Sequence, residues 1–202
     1  MKLWHIDSSV LGDNSASRKL SAAIVARLSQ LYPGLETEYL DLGANPVGHL
    51  SPAHIGAMFG HPPADDATLA DIARGHGFID TLFAADIIVF GVPMYNFGLP
   101  SQLKAWADRV IVAGKTFKYG EGGVPVSLLP AGKKVYIATS RGGLYGPGSP
   151  TAAFEHQESH LKAMLNFIGL TDITVVNADG LAIPDIKPTS IAAAEAEIAT
   201  LA

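Results

Sequence analysis

The stretch DIIVFGVPMYNFGLP, residues 86–100, carries the clearest signal of the fold. Its first part, Asp86–Val92, is apolar at almost every position, which is typical of a central strand of a parallel sheet covered by helices on both faces. Its second part, Pro93–Pro100, is an uncharged loop with turn-forming residues. On both sides of this stretch, apolar runs of strand length alternate with segments of helical period. This alternation predicts parallel strands joined by crossover helices.

Four further strands and five helices complete the predicted order. The other strands are expected at Lys2–Asp7, Glu36–Leu42, Lys134–Thr139 and Ile173–Ala178, the second of them as an edge strand with one wetter face. Apolar stripes at helical spacing predict helices around 20–31, 69–83, 103–111, 154–168 and 191–201. We therefore expect a single α/β domain over residues 1–202. Its sheet is doubly wound, with either the flavodoxin-like order 2-1-3-4-5 or the order of a truncated dinucleotide-binding fold.

The composition excludes several classes of function. The 14 Lys and Arg residues against 19 Asp and Glu give a net charge of −5, so a nucleic-acid backbone is not an expected partner. The absence of cysteine excludes disulfides, Cys-ligated zinc, iron–sulfur clusters and thiol redox chemistry. With 48% hydrophobic and only 16% charged residues, the chain must hide apolar surface in a subunit interface or a cofactor pocket. Electron transfer by this protein would need a borrowed cofactor.

The sequence also predicts a cytoplasmic protein with no membrane span. The first ten residues carry Asp7 where a signal peptide has its apolar core. The longest uncharged run, Ile87–Leu103, is interrupted by Pro93 and Pro100, which do not suit a spanning helix.

Three loops at the carboxyl ends of predicted strands are the candidates for a binding site, because ligands of open α/β sheets lie there. The first loop brings Ser9, Ser15 and Ser17 to the start of the first helix, where free N–H groups and serine hydroxyls can hold a monophosphate. It has neither the lysine of a triphosphate loop nor the glycines of a dinucleotide fingerprint. The alternative is that Ser15 or Ser17 is only a helix N-cap.

The second and third loops suit a flat ring. Met94, Tyr95, Asn96 and Phe97 form an apolar and aromatic loop with one amide, which suits a flat apolar ring with hydrogen bonds at its edge. The alternative is an apolar turn packed into the core. The third loop, 139–143, contains two adjacent glycines that let the backbone approach a ligand or simply make a turn.

The segment Gly43–Asp66 is irregular in sequence, with four prolines and three histidines. A loop of this length in a compact domain is usually a lid or a binding loop, and the alternative is a plain surface insertion.

Two sharper motifs fail. His156 and His160 have the spacing of a zinc pair, but Gln157 stands where a zincin has Glu, so no metal is expected. His5, Asp7 and Ser9 lie along one strand face, which places the histidine and serine about 13 Å apart and so excludes a hydrolase triad. Ordinary sheet packing is the expectation for His5.

The chain resembles the flavodoxin-like FMN-dependent NADH:quinone reductases, also known as FMN-dependent NADH azoreductases, over essentially its whole length. The resemblance is carried by Ser9 with Ser15-Ala16-Ser17, by Pro93-Met94-Tyr95-Asn96-Phe97, by Thr139-Ser140-Arg141-Gly142-Gly143, and by the segments 113–119 and 166–172. It implies a flavodoxin-like doubly wound sheet of five parallel strands in the order 2-1-3-4-5, with helices on both faces.

The resemblance also implies roles for these residues. Ser9, Ser15, Ala16 and Ser17 would hold the FMN phosphate. The isoalloxazine edge would be lined by Pro93, Met94, Tyr95, Asn96 and Phe97, and its polar rim by Ser140, Arg141, Gly142 and Gly143. Similar enzymes are homodimers, so Phe117 or Tyr119 of the partner subunit would cover the ring, and Phe59 would belong to the same substrate pocket.

The implied reaction is a ping-pong transfer of two electrons from NADH or NADPH through FMN to a quinone or an aromatic azo compound. No side chain is assigned as an essential acid or base, because the cofactor carries the chemistry. The alternatives are a flavodoxin-type electron carrier without its own substrate, and a domain that has lost its ligand. A carrier would show a dense acidic surface around the flavin for docking its partners, which the neutral second loop does not favour.

Overall fold

The computed structural model describes residues 1–61, 63 and 65–202, and the secondary structure alternates strand and helix along the chain. The strands are β1 Lys2–Asp7, β2 Glu36–Asp41, β3 Ile87–Pro93, β4 Phe117–Tyr119, β5 Pro125–Ser127, β6 Lys134–Ser140 and β7 Asp172–Ala178. The α-helices are α1 Ala16–Leu31, α2 Pro52–Met58, α3 Asp66–Ala84, α4 Ser101–Val110, α5 Glu158–Phe167 and α6 Lys187–Ala199.

Five strands form one parallel sheet in the order β2-β1-β3-β6-β7. The predicted parallel five-stranded sheet is confirmed, but the predicted numbering missed two strands. These are β4 and β5, which pair antiparallel in a separate hairpin between α4 and β6. Each has only three residues, too few for a clear alternation of apolar and polar side chains.

Helices cover both faces of the sheet, because each face buries its own apolar cluster. On one face Trp4 and Phe90 of the sheet pack with Trp106 of α4, with ring centroids 5.6 and 5.5 Å from the Trp106 ring. On the other face, Ile24 of α1 and Ala194 of α6 pack in the second cluster. The predicted wetter edge strand is confirmed, since the first four residues of β2 are exposed.

Two predicted boundaries change. Helix α5 begins at Glu158 instead of Phe154, because the Glu155 carboxylate accepts hydrogen bonds from the main-chain N–H groups of Gln157, Glu158 and Ser159 and so caps the helix there. The irregular segment 43–66 contains α2, which opens with a capping box between Ser51 and His54. Within this segment Pro62 and Ala64 lie outside the described residues.

Among the described helices, none is both long and apolar enough to cross a membrane.

Candidate functional site

The three candidate loops meet at one edge of the sheet because β1, β3 and β6 are neighbours in it. The loops are also tied to one another by main-chain hydrogen bonds. Ser8 N donates to Gly91 O at 3.1 Å, and Met94 N donates to Ser140 O at 2.8 Å. The sequence-predicted residues of the three loops therefore share one site at the carboxyl ends of the strands, as the topology requires.

The first loop places three buried serine hydroxyls at the start of α1. Ser15 is the N-cap, since its Oγ accepts from the main-chain N–H of Arg18 at 3.3 Å, and this confirms the capping role considered from sequence. Ser15 Oγ and Ser17 Oγ lie 3.1 Å apart. The N–H groups of Ala16 and Ser17 belong to the first turn and have no acceptor within the helix. Capping and anion binding are thus compatible at this end of α1.

The second loop makes a tight turn in which Tyr95 and Gly98 exchange two main-chain hydrogen bonds of 3.1 Å. Its central residues, Asn96 and Phe97, have φ angles of 47° and 71°. Left-handed backbone is unfavourable for non-glycine residues, especially for a bulky aromatic one, and costs about 1–3 kcal/mol per residue. Such strain persists where the surroundings hold it, often at binding sites. Both residues are exposed, so the alternative of a turn packed into the core is wrong.

Tyr95 reaches back to the first loop. Its hydroxyl lies 3.2 Å from Ser9 Oγ and accepts a 3.2 Å hydrogen bond from Val10 N. Ser9 Oγ also accepts from Leu11 N at 3.2 Å. The Tyr95 hydroxyl therefore joins the serine loop to the aromatic loop. From the sequence, Tyr95 was expected at the edge of the ring.

The Phe97 ring joins an aromatic cluster that sequence reasoning missed. Its centroid is 5.2 Å from that of Phe154 and 6.2 Å from that of Tyr145, and its carbonyl accepts from His156 N at 3.0 Å. Both partner rings come from the long connection after β6. That connection is rich in glycine and proline and has no periodic apolar pattern, so the sequence does not show that it returns to Phe97.

The third loop offers main-chain groups to the site. The carbonyls of Gly142 and Gly143 accept from Ala182 N and Gly180 N, at 3.0 and 2.9 Å. Their own N–H groups donate no hydrogen bond within the described part of the chain. The free N–H groups of Gly142 and Gly143 are consistent with the expectation that the backbone can approach a ligand closely here.

The Arg141 side chain turns away from this edge into the protein. Only 2% of it is exposed, and Nη2 lies 2.9 Å from Glu158 and 3.6 Å from Glu155, while Nη1 lies 3.4 Å from Asp179. Its Nε donates to Gln157 Oε1 at 2.8 Å. A guanidinium so occupied cannot also serve a ligand, and the main-chain N–H of Arg141 donates to Ala178 O at 2.9 Å. Burial raises the pKa of the Asp179 carboxyl, and the Arg141 charge opposes that shift.

Another arginine, the partly buried Arg18, lies behind the serine loop. Its guanidinium donates to the carbonyl of Ser9 and to both carboxylate oxygens of Asp41. The hydrogen bond from Arg18 lowers the pKa of Asp41 and raises the pKa of Arg18 itself. Neither Arg18 nor Asp41 was among the residues predicted from the sequence. A weak signal was present, since Tyr39 and Asp41 share one face of a strand by their spacing of two.

The His5, Asp7 and Ser9 side chains do not form a triad. Instead, Ser21 Oγ donates to Asp7 Oδ1 at 2.7 Å and lies 2.9 Å from His5 Nε2, while Ser9 bonds to Tyr95. His5 packs on the Tyr39 ring with centroids 4.9 Å apart, so the expected packing role is confirmed. The Asp7 carboxylate has room inside the fold because the neighbouring residue on β3 is Gly91. A Cβ at position 91 would overlap the Asp7 carboxylate.

The predicted substrate-pocket residues are not brought together by this chain. Phe117 is only 5% exposed and packs on Phe167 with centroids 4.6 Å apart, so it cannot cover a ligand of another subunit. Tyr119 is 64% exposed on the β4–β5 hairpin. Phe59 is 78% exposed at the end of α2 and lines a groove of about 940 Å³ between α2, α3 and residues 112–115. Within the described residues, the Phe59 ring contacts neither Phe117 nor Tyr119.

The donor set at the loop edge fits a ligand with an anionic end and a flat ring. Hydroxyls and helix N–H groups supply the anion site, while the exposed Phe97 ring and the glycine N–H groups supply an apolar face and a polar rim. No cluster of metal-ligating side chains occurs among the residues that the structure describes.

Comparison with known proteins agrees with this geometry. A family model described as "Flavodoxin-like fold" matches residues 1–202. The FMN-dependent NADH:quinone oxidoreductase of Xanthomonas campestris is 50% identical over 203 residues, covering 100% of this chain and 99% of the relative. The FMN-dependent NADH:quinone oxidoreductase 2 of Bradyrhizobium diazoefficiens is 51% identical, covering 96% and 95%.

Solved structures give the same relationship. An azoreductase from Bacillus anthracis Sterne superposes with a TM-score of 0.88 at 27% identity, covering 98% of this chain and 97% of the other. An FMN-dependent NADH-azoreductase from Bacillus anthracis, solved in complex with FMN, gives a TM-score of 0.88 at 25% identity, covering 98% and 95%. The chain therefore belongs to the family with the flavodoxin-like fold and, within it, to the family of the FMN-dependent NADH:quinone oxidoreductases.

Proposed function

We propose that this protein is an FMN-dependent oxidoreductase that transfers two electrons from NADH or NADPH to quinones and reductively cleaves aromatic azo compounds. The observation that carries the proposal is the meeting of three loops at one sheet edge. There the buried serines of the first loop are hydrogen-bonded, through Ser9 and Tyr95, to the strained aromatic turn of the second. The names of the relatives support the same activity.

The residues present fit FMN from end to end. Ser9, Ser15 and Ser17 would bind the phosphate through their hydroxyls, together with the N–H groups of Ala16 and Ser17. Pro93, Met94, Asn96 and Phe97 would line the ring, and the backbone of residues 140–143 would meet its polar rim. Tyr95 would hold the phosphate loop and the ring loop at a fixed separation.

Bound FMN supplies the two-electron chemistry in a ping-pong sequence. The protein's own part is binding and orientation. The turn at Asn96 and Phe97 presents an amide and a ring on a rigid backbone, since the Tyr95–Gly98 hydrogen bonds fix it. Phe97, packed against Tyr145 and Phe154, gives a flat acceptor an aromatic surface to stack on. We assign no side chain among the described residues as an essential acid or base, so solvent would supply the protons.

The assembly we propose is a homodimer of single FMN-binding domains, each spanning residues 1–202, in the cytoplasm. Tyr119 of the partner subunit would cover the flavin, and its exposure on the hairpin supports that role. Phe59 would form the outer wall of the substrate pocket. The use of nicotinamide coenzymes from the cell interior supports the location.

Reconstitution with FMN tests this function. The flavin-free protein is mixed with FMN, passed through gel filtration and examined by visible absorbance. We expect a yellow protein whose flavin band bleaches when NADH or NADPH is added without oxygen and returns when a quinone or an azo dye is added. A protein that stays colourless contradicts the proposal, and retained FMN that neither nicotinamide bleaches indicates an electron carrier instead.

The serine loop provides a matched control in the same assay. Ser15→Ala combined with Ser17→Ala should weaken FMN retention about tenfold, by loss of hydrogen bonds to a charged group. Ser29→Ala removes a hydroxyl from the same helix, where it donates only to Val25 O, and should leave retention unchanged. Equal retention by both variants would contradict the phosphate site.

A further inference from the structure

Arg18 connects the two halves of the serine loop. Its main-chain N–H donates to Ser15 Oγ at 3.3 Å, at the helix end of the loop. Its guanidinium donates to the carbonyl of Ser9 from Nε at 3.2 Å and from Nη2 at 2.7 Å, at the strand end of the loop. One residue therefore contacts both ends of the loop, the Ser9 carbonyl and the Ser15 hydroxyl.

Asp41 holds the Arg18 guanidinium in this orientation. Arg18 Nη1 donates to Asp41 Oδ2 at 2.7 Å and Nη2 donates to Oδ1 at 2.5 Å, which is the bidentate geometry of a strong arginine–carboxylate pair. Asp41 is itself fixed, because its Oδ1 accepts from Gly43 N at 2.9 Å and from Ala44 N at 3.0 Å. Tyr39 Oη accepts from Arg18 Nη1 at 2.9 Å on the same side.

The packing leaves no room for another arrangement. A Cβ at Gly43 would overlap the Ser9 carbonyl oxygen and lie 2.9 Å from Arg18 Nη2. Gly43, which follows β2, thus packs against the Ser9 carbonyl that accepts from Arg18. The Arg18 side chain is only 14% exposed. A backbone held from both sides keeps its serine hydroxyl in one place.

We propose that Arg18 and Asp41 are positioning residues that set the geometry of the phosphate-binding serines. This inference rests on the proposed binding of the FMN phosphate by this loop. The pair acts through geometry and not through net attraction, because Asp41 at 2.5 Å and Asp7 at 4.0 Å balance the Arg18 charge. The Arg18–Asp41 pair should therefore affect the binding of FMN, through its phosphate, but not the binding of riboflavin, which lacks the phosphate.

Two substitutions separate geometry from charge. Arg18→Lys keeps the charge but loses the fork that grips Ser9 O and Asp41 together. Asp41→Asn keeps the size but releases Arg18 from its anchor. If Arg18 acted by attraction, Arg18→Lys would keep the affinity for FMN and Asp41→Asn would raise it. Under the positioning role, both variants weaken FMN binding.

Arg27 offers a matched control on the same helix. It grips a carbonyl in the same way, with Nε and Nη2 donating to Leu201 O at 3.1 and 2.8 Å, at the end of α1 far from the serine loop. Arg27→Lys removes the same kind of arginine–carbonyl contact from α1 without changing the phosphate site.

The experiment is titration of FMN and of riboflavin with the full-length flavin-free protein and its variants, read by quenching of flavin fluorescence. For Arg18→Lys and Asp41→Asn we expect the Kd for FMN to rise about 10- to 100-fold, by loss of charge-assisted hydrogen bonds, and the Kd for riboflavin to change less than about twofold. Arg27→Lys should change neither Kd.

The outcomes distinguish the two proposals. Unchanged or tighter FMN binding by Arg18→Lys or Asp41→Asn, or an equal loss for FMN and riboflavin, overturns the positioning role. If the unmodified protein binds FMN no better than riboflavin, the phosphate site itself is wrong and the positioning role falls with it. If it binds neither flavin, the proposed function fails.

Discussion

Two arginines, Arg18 and Arg141, support two loops of the same site in opposite ways. Arg18 lies outside the loop that it supports and grips that loop by the Ser9 carbonyl. Arg141 belongs to its loop and is gripped by side chains of others, with Glu155, Glu158 and Asp179 around its guanidinium. The serine loop is thus held from behind by Arg18, while the glycine loop 139–143 is anchored through its own Arg141.

The difference appears in the balance of charge. Arg18 forms a bidentate pair with one carboxylate, and Asp7 lies further off. Arg141 faces three carboxylates, and Asp179 Oδ1 has no hydrogen-bond partner within the described residues. Removal of Arg141, whose side chain is 2% exposed, leaves three neighbouring carboxylates without their shared cation, which is more costly than the loss of the single Arg18–Asp41 pair. Arg141 should therefore matter more for the stability of the fold, and Arg18 more for the shape of the site.

The largest effect is expected for Arg141→Met. The variant leaves three partly buried carboxylates close together without their shared cation and should lower the free energy of unfolding by about 3–5 kcal/mol. Urea unfolding of the flavin-free protein, followed by far-ultraviolet circular dichroism, measures it. Arg74→Met is the control, since Arg74 donates to the carbonyls of Asn45 and Pro46 in an exposed position. Equal losses in the free energy of unfolding for Arg141→Met and Arg74→Met would contradict the larger role of Arg141 in stability.

Smaller effects on the free energy of unfolding are expected at Asp41 and Asp179, and their contributions change with pH in opposite directions. The pKa of Asp41 is lowered from its ordinary value of 3.8 by the Arg18 hydrogen bond, so its stabilisation is present above that value and lost as pH falls through the native pKa. The pKa of Asp179 is raised by burial, so its contribution is favourable below 3.8 and is lost as pH rises through the native pKa.

Unfolding of Asp41→Asn and Asp179→Asn across the acid range checks these signs. Asp41→Asn should cost about 1–3 kcal/mol at neutral pH, and the cost should shrink in acid. Asp179→Asn should gain stability relative to the unmodified protein as pH rises. Parallel curves for the two variants would remove the distinction between the two networks.

The smallest effect is expected for Lys162→Ala. Glu158 pairs on its buried side with Arg141 and on its outer side with Lys162, at 2.6 Å and with the lysine 38% exposed. An exposed pair of this kind contributes less than about 0.5 kcal/mol. A loss above 1 kcal/mol in urea unfolding would mean that the Arg141 network depends on its outer charges as well.

The fold was predictable where the pattern was long and periodic. The fully apolar Ile87–Pro93 and the alternating Glu36–Asp41 gave a central and an edge strand without ambiguity. The β4–β5 hairpin was not predictable, because three-residue strands joined through Glu121–Gly123 carry too little alternation. The late start of α5 depends on a carboxylate cap at Glu155, a local hydrogen-bond pattern that competes with the apolar stripe.

The site was predictable in its loops but not in its supports. Topology alone places the ends of β1, β3 and β6 side by side, so the serines, the aromatic turn and the glycines had to meet. The direction of a long side chain does not follow from topology. Arg141 points inward and Phe117 into the core because of partners distant in sequence, such as Asp179 and Phe167. The pair of Arg18 and Asp41 was missed for the same reason.

The packing of Trp4 against Trp106 has a spectroscopic consequence. These are the only two tryptophans of the chain, and both are about 1% exposed in the same apolar cluster, 5.6 Å apart. Their emission should be blue-shifted in the native protein and should move to longer wavelength in one step when that face of the sheet opens. Tryptophan fluorescence therefore reports on one face of the sheet, and the opposite face, which α1 and α6 cover, contains no tryptophan.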